Sequence, residues 1–285
     1  PAGSPHGATV RVTDQAGTVA SVSWTIAVTA EGFRFLDAQS GRRVADGGTG
    51  TLDNPWRSLA DMYEGSDYDA KWANSYADNF LYFKPGSYAT GDAYIEDIDA
   101  STGTGRMPLS TATKPVVWLA HPGFAEKPTL DLGRGYIAVY GGQDNLYFDG
   151  FNVTNITNYY RKGIGIDPGD HITVRRCAFS DLPQGGIGGS NNQSAIMITD
   201  SYGAFGNRFA FTDNTFDRID AYSIIAYTSN KVLFEDNVIT SSNANFPSIG
   251  PKSNNSMWFI RGNRLRDLPG MRAIWLYNAG GQTTD

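Results

Sequence analysis

The chain has 285 residues, 40% of them hydrophobic and 18% charged, which is enough for one large core or for a domain with an appendage. Its 23 Lys and Arg against 29 Asp and Glu give a net charge of -6, a balance that argues against a general nucleic-acid binder. The single cysteine, Cys177, excludes an intrachain disulfide and a cysteine-based zinc site, and no apolar run reaches the length of a membrane span.

The first residues, "PAGSPHG", carry no signal-peptide pattern. The next stretch, "ATVRVTDQAGTVASVSWTIAVTA", alternates apolar and polar residues on both sides of "DQAG", which predicts a β-hairpin. A lone hairpin is marginal in water. This one resembles the last two strands of the immunoglobulin-like or cadherin-like modules strung along bacterial surface proteins. The expected organisation is therefore a terminal hairpin of such a module over residues 1–30, a linker over 31–46, and a second domain over 47–285. The last is expected to be incomplete at its C-terminus, the whole being a piece of a longer secreted polypeptide. "GTGTLDNPWRSLADMY" reads as a Gly-rich lead-in with a short helix; "FLYFKPGSY" and "KPVVWLAHPG" read as the first coils of the second domain.

From Leu146 onward five segments align: "LYFDGFNV", "ITVRRCAF", "FAFTDNTF", "VLFEDNVI" and "WFIRGNRL". Their sixth residues, Phe151, Cys177, Asn214, Asn237 and Asn263, recur 26, 37, 23 and 26 residues apart. A period in the twenties with internal alternation is the mark of a solenoid of strands. Alternation points Phe148, Val174, Phe211, Phe234 and Ile260 inward, as it does Val153, Phe179, Phe216, Ile239 and Leu265. The three asparagines point inward too and can bond from coil to coil, while Cys177 in their column is packing. The long interval requires an insertion, for which "QGGIGGSNNQ" and "DSYGAFGN" are the candidates. A further strand precedes each unit: "GIGID", "AIMIT", "SIIAY", "SIGPK" and "AIWLY".

The span from about Gly47 resembles the secreted right-handed parallel β-helices of the pectate-lyase-like superfamily, down to the lead-in "GTGTLDNPWRSL" and "KPGSYA". The resemblance implies an all-β chain, a right-handed parallel β-helix preceded by the last strands of an immunoglobulin-like domain. It leaves the activity open, since this scaffold carries lyases, hydrolases, epimerases, tailspikes and adhesins.

Outward residues divide into two kinds. One column, Asp149, Arg175, Thr212, Glu235 and Arg261, reads as a ladder of exposed ion pairs, each worth at most about 1 kcal/mol. The other runs Asp167, Thr199, Tyr227, Lys252 and Tyr277, beside Gly165, Met197, Ile225, Gly250 and Trp275. There Gly250 is expected to leave a gap next to Lys252. Asp167, Tyr227 and Trp275 are expected to line a groove suited to a sugar polymer.

The chemistry such a groove can support is β-elimination of a uronate polymer. It needs a base at the carbon beside the carboxylate, a group neutralising that carboxylate, and an acid at the leaving oxygen. Lys252 is the candidate base, set within a run containing Arg261, Arg264, Arg266 and Arg272 that would attract a polyanion. "KSNNSMWFIRGNRL" also resembles a motif of the chondroitinase B and alginate lyase family, in which a Lys-Ser precedes an "IRxN" strand and the Lys acts as base. That resemblance implies Lys252 as base and calcium as cofactor. The acidic calcium ligands the family places before the Lys are replaced here by "NANFPSIG", and its following "LRHG"-like stretch by "IWLYNAG". Tyr277 or Arg272 would then supply the acid. The expected partner is an acidic polysaccharide, with self-association through the solenoid or neighbouring domains, and the expected location is extracellular or at a bacterial cell surface. The alternative is a non-catalytic stalk, adhesin or filament subunit. Asp167, Asp200 and Asp220 could otherwise supply a carboxylate pair for glycoside hydrolysis, though Asp200 and Asp220 read as turn caps.

Overall fold

The computed structural model describes residues 5–13, 17, 19–27, 33–65, 80–89, 115–133, 137–156, 162–182, 194–199, 206–220, 222–240, 248–268, 273, 274 and 276. Of the two candidate insertion loops, "QGGIGGSNNQ" lies outside them, as does "DSYGAFGN" up to its last two residues, Gly206 and Asn207, which open a strand.

Pro5–Thr13 and Val19–Ala27 pair antiparallel around "DQAG", from Pro5 opposite Ala27 to Thr13 opposite Val19, which is the expected hairpin. Every other named strand pairing is parallel, in a sheet of ten strands and a sheet of seven. The chain therefore winds as a parallel β-helix. Phe33–Leu36, inside the span expected as linker, is the first strand of the ten-stranded sheet and pairs with Phe80–Phe83. The short helix falls at Leu59–Gly65. The Ser58 hydroxyl accepts the Asp61 N–H at 3.1 Å at its start, and Leu59 and Met62 join the solenoid core.

Register follows the aligned columns. Phe148 stands opposite Val174, Val174 opposite Phe211, Phe211 opposite Phe234, and Phe234 opposite Ile260. In the seven-stranded sheet Val153, Phe179, Phe216, Ile239 and Leu265 align in the same way. The preceding strands align through Ile164, Ile196, Ile224 and Ile249, the last bridging to Ile274. Ile137–Asp144 adds a member that the repeat alignment does not contain. The two strands expected per coil are continuous in places: Lys162–Arg175, Tyr222–Glu235 and Ile249–Arg261 each run through a bend.

The bends share one geometry. Backbone φ is positive at Asn145, His171, Arg208, Lys231 and Met257. It is positive again five residues later at Gly150, Arg176, Asp213, Asp236 and Gly262, and five later still at Asn155, Asp181, Arg218 and Asp267. Each left-handed residue turns the chain, and the residues one and three places beyond it point inward, as Leu146 and Phe148 or Ile172 and Val174 do. A left-handed L-residue costs roughly 1–2 kcal/mol. Burying two apolar side chains per side, at about 1.5–3 kcal/mol each, outweighs that.

The asparagine column is buried: Asn214 and Asn237 are fully enclosed. Cys177 lies in the same column, and burial pushes its thiol up to about 11, which fits packing and not reactivity. The outward ion pairs differ from the expectation. Glu235 and Arg261 form an exposed pair at 2.6 Å, but the Asp149 carboxylate is 1% exposed and is gripped by two guanidiniums. Arg176 reaches it because it occupies the corner next to Arg175, a placement that alternation alone does not reveal.

Candidate functional site

Lys252 lies near the start of Ile249–Arg261, where the ladder to Tyr222–Glu235 is interrupted. Ala226 stands opposite Pro251 and Thr228 opposite Asn254, so Lys252 and Ser253 together face the single residue Tyr227. This is a β-bulge, a device that re-aims a side chain out of the regular alternation. Pro251, which cannot donate to a ladder, stands at its edge.

Local polar bonds hold the bulge in shape. The Asn255 amide donates to the Lys252 carbonyl at 2.7 Å and to the Ala226 carbonyl at 3.0 Å. Its oxygen accepts from the Ser229 hydroxyl at 2.5 Å, and that hydroxyl accepts from the Trp258 indole at 2.9 Å. Ser229 and Asn255 carry no signal in the sequence, since their role depends on a register shift that periodicity does not encode.

The Lys252 ammonium lies over the Tyr227 ring, 5.2 Å from its centroid. A cation over an aromatic face gains about 0.5–1 kcal/mol at an exposed site and more when desolvated. No carboxylate among the described residues forms an ion pair with Lys252. The Tyr227 hydroxyl is buried without a hydrogen-bond partner. Burial and the neighbouring Tyr222 push it up to about 12. The Tyr227 hydroxyl is enclosed, and its partly exposed ring carries the Lys252 amine.

The gap expected at Gly250 is not open. A Cβ there would lie 2.6 Å from the Tyr222 ring, so that ring takes the space. Tyr222, Met197 and Ile225 form a small apolar cluster of their own against which Tyr227 packs. Gly165, Met197, Ile225 and Gly250 do align as one column. Asp167 follows Ile166, which aligns through Ile198 and Ala226 with Pro251, so it lies three coils from Lys252, about 14 Å at the strand repeat. It pairs with Tyr140 beside a second register shift. Arg272, Trp275 and Tyr277 lie outside the described residues.

Arg261, at the far end of the same strand, and Arg264 and Arg266, past the next corner, are exposed. Among the described residues no group of three or more His, Cys, Asp or Glu side chains is arranged to hold a metal ion. Of the stretch "NANFPSIG", which replaces the acidic calcium ligands, only Ser248 to Gly250 is described.

A second surface has no counterpart among the sequence expectations. On the outside of the first coils, Phe33 stacks on Phe80 at 5.2 Å and on Tyr82 at 5.9 Å, and Phe35 stacks on Tyr82 at 5.6 Å. His121 lies edge-on to Tyr82 at 5.9 Å and against Phe124 at 5.2 Å. The "FRF" strand falls in the span expected as linker, outside the repeat alignment, so its aromatics have no assigned match in "FLYF".

No protein-family model matches this chain, and no curated protein matches it. Among solved structures it is similar to a rhamnogalacturonan lyase, at 14% identity and a TM-score of 0.50. The match covers 86% of this chain and 66% of that one. At this identity the likeness establishes the shared β-helix architecture. Among the described residues no helix is long and apolar enough to cross a membrane.

Proposed function

We propose that this chain is a secreted or cell-surface carbohydrate-active β-helix that cleaves a uronate-containing polysaccharide by β-elimination, with Lys252 as the base. The observation that carries the reading is the placement of Lys252. It stands on a bulge, its amine rests on the Tyr227 ring, and no described carboxylate claims it. A base must be free of a permanent anionic partner, because such a partner holds the ammonium protonated.

In the reaction, the neutral Lys252 amine takes the proton from the carbon beside the uronate carboxylate. That C–H electron pair becomes the new carbon–carbon double bond as the glycosidic C–O bond breaks. The departing oxygen takes a proton from an acid, for which Tyr277 or Arg272 is proposed. Arg261, Arg264 and Arg266 draw the polyanion to this end of the solenoid, and Asp167 and Trp275 extend the sugar contacts along the column. The neighbouring fold of a rhamnogalacturonan lyase is compatible with this class of substrate. No step is routed through calcium.

The test is to offer alginate, pectate and glycosaminoglycans, with and without calcium, and to follow near-ultraviolet absorbance from the unsaturated product. Activity is expected on at least one, with Lys252→Ala slower by roughly two to four powers of ten and an unchanged melting curve. Absence of unsaturated product from every polymer overturns the lyase reading.

The stalk or filament reading is favoured by one observation: Tyr222 fills the space over Gly250, so the surface beside Lys252 is closed where a groove was expected. The same absorbance experiment decides between the two.

A further inference from the structure

Two columns on the outside of the ten-stranded sheet meet a cavity. The first runs Phe33, Phe80, Val117, Tyr147 and Thr173, each opposite the next. The second starts Phe35, Tyr82 and Leu119 and ends at Asp149 and Arg175. A cavity of about 420 Å³ opens where the first column reaches Val117, Tyr147 and Thr173, and the corner residues Asn145 and His171 close its side. This is within the range of small-ligand sites, about 300–1,000 Å³. Its walls are mostly apolar, with the Thr173 hydroxyl, the Asn145 amide and the His171 imidazole as polar groups.

The rings before the cavity are not core. Phe33, Phe35, Phe80, Tyr82 and His121 are each partly exposed, and Phe124 is 48% exposed. Their planes are nearly parallel: 16° between Phe33 and Tyr82, 19° between Phe35 and Tyr82. The charged groups along the stripe are engaged with one another, one Arg in excess. Lys84 is paired with Asp37, and Asp149 is paired with Arg175 and Arg176. Burial and the nearby Lys84 hold His121 below its ordinary value, so its ring is uncharged at neutral pH. Arg175 lies over the Tyr147 ring at 5.1 Å, and Tyr147 lines the cavity.

We propose that this stripe and its cavity form a second saccharide-binding surface, which takes an uncharged run of pyranose rings lying along the solenoid axis. The partly exposed sides of the stacked rings meet the apolar C–H groups of the sugars, and the cavity receives one ring or branch, oriented by Thr173, Asn145 and His171. The coil repeat of about 4.8 Å is comparable to one extended pyranose residue, so successive sugars meet successive coils. The ligand is held by ring contact and not by charge. The surface is separate from Lys252, which lies on the other side of the corner column, and its occupancy does not depend on the lyase reading.

The test is affinity electrophoresis of the whole chain through gels containing galactan, mannan or polygalacturonate, at low salt and at about 0.5 M salt, where long-range attraction is screened. Retardation by a neutral polymer, unchanged by salt, is expected. Tyr82→Leu, which keeps apolar volume but removes the flat face, should weaken it roughly 3–10-fold, the worth of one aromatic contact. Thr173→Trp, which fills the cavity from outside, should abolish it. Melting curves report that both variants fold, and Lys252→Ala should be retarded like the parent. Absence of retardation by either neutral polymer overturns the proposal. So does retardation by polygalacturonate alone that salt removes, or retardation that folded Tyr82→Leu and Thr173→Trp retain.

Discussion

The side-chain amide of Asn214 donates to the Asn237 side-chain oxygen at 3.0 Å, and the same oxygen accepts the Asn214 backbone N–H at 2.9 Å. Asn237 repeats both bonds to Asn263, at 3.0 and 2.9 Å, and its amide also reaches the Phe211 carbonyl at 2.9 Å. Cys177 ends the run by donating its N–H to Asn214 at 3.0 Å. Each buried amide is thus satisfied by the coil beside it, and the column works as a unit.

Asn237→Leu should therefore cost more than a single hydrogen bond. It strands the Asn214 backbone N–H and takes the side-chain donor from the Phe211 carbonyl, at about 1–3 kcal/mol per orphaned group, while the Asn214 amide keeps the Val174 carbonyl and the Asn263 oxygen keeps the backbone N–H of residue 237. The expected result is a clear loss in denaturant midpoint. Cys177→Ser, at the end of the run, should cost less. Equal stability of Asn237→Leu and the parent would mean the column contributes nothing to the fold.

Asp37 predicts an acid-sensitive N-terminal end. Its carboxylate is buried, which raises its pKa. Bonds from the Ser40 hydroxyl and N–H, the Lys84 ammonium and the Gln39 N–H outweigh that and bring it to about 2, below the ordinary 3.8. A carboxylate depressed on folding contributes stability that is present above its unfolded pKa and lost as pH falls through the folded one. Melting temperature should thus fall between about pH 4 and pH 2, by the equivalent of on the order of 2 kcal/mol. Asp37→Asn should flatten that part of the profile.

The two ends of the ion-pair column should separate on mutation. Arg176→Ala removes the Nε donor at 2.6 Å from an Asp149 carboxylate that is 1% exposed. It should destabilise by roughly 1.5–3 kcal/mol, the worth of a charge-assisted bond. Glu235→Ala faces Arg261, which is 69% exposed, so its effect should stay within about 1 kcal/mol. Urea titrations of the two variants give the comparison directly.

The difference between those two ends marks how far the sequence can be read. Inward columns are legible because burial imposes a period of two: Phe148 through Ile260 align as alternation requires. The left-handed corners are not, because Asn145, His171, Arg208, Lys231 and Met257 share geometry but no residue type. Their conformation is imposed by the packing on either side. That is why sequence does not place Arg176 beside Asp149, and why Phe33 and Phe35 escape the alignment. At the candidate site, the column of Gly165, Met197, Ile225 and Gly250 is legible, but the bulge at Lys252 and the Tyr222 ring over Gly250 depend on a register shift and a side-chain direction. No alternation pattern encodes either.

Tyr227 allows ring and hydroxyl to be separated. The hydroxyl is buried, makes no hydrogen bond and is held up to about 12, so it neither donates to a substrate nor stabilises the fold. The ring lies under the Lys252 amine at 5.2 Å. Tyr227→Phe should thus keep the rate of any Lys252-dependent elimination and match or raise the stability by up to about 1 kcal/mol, since removing a buried unpaired hydroxyl relieves its desolvation. Tyr227→Leu keeps an apolar body but loses the aromatic face. It should lower the rate without changing substrate affinity, because the amine is then no longer held over one point. If Tyr227→Phe loses activity while Tyr227→Leu keeps it, the ring does not position Lys252 and the assignment of Tyr227 fails.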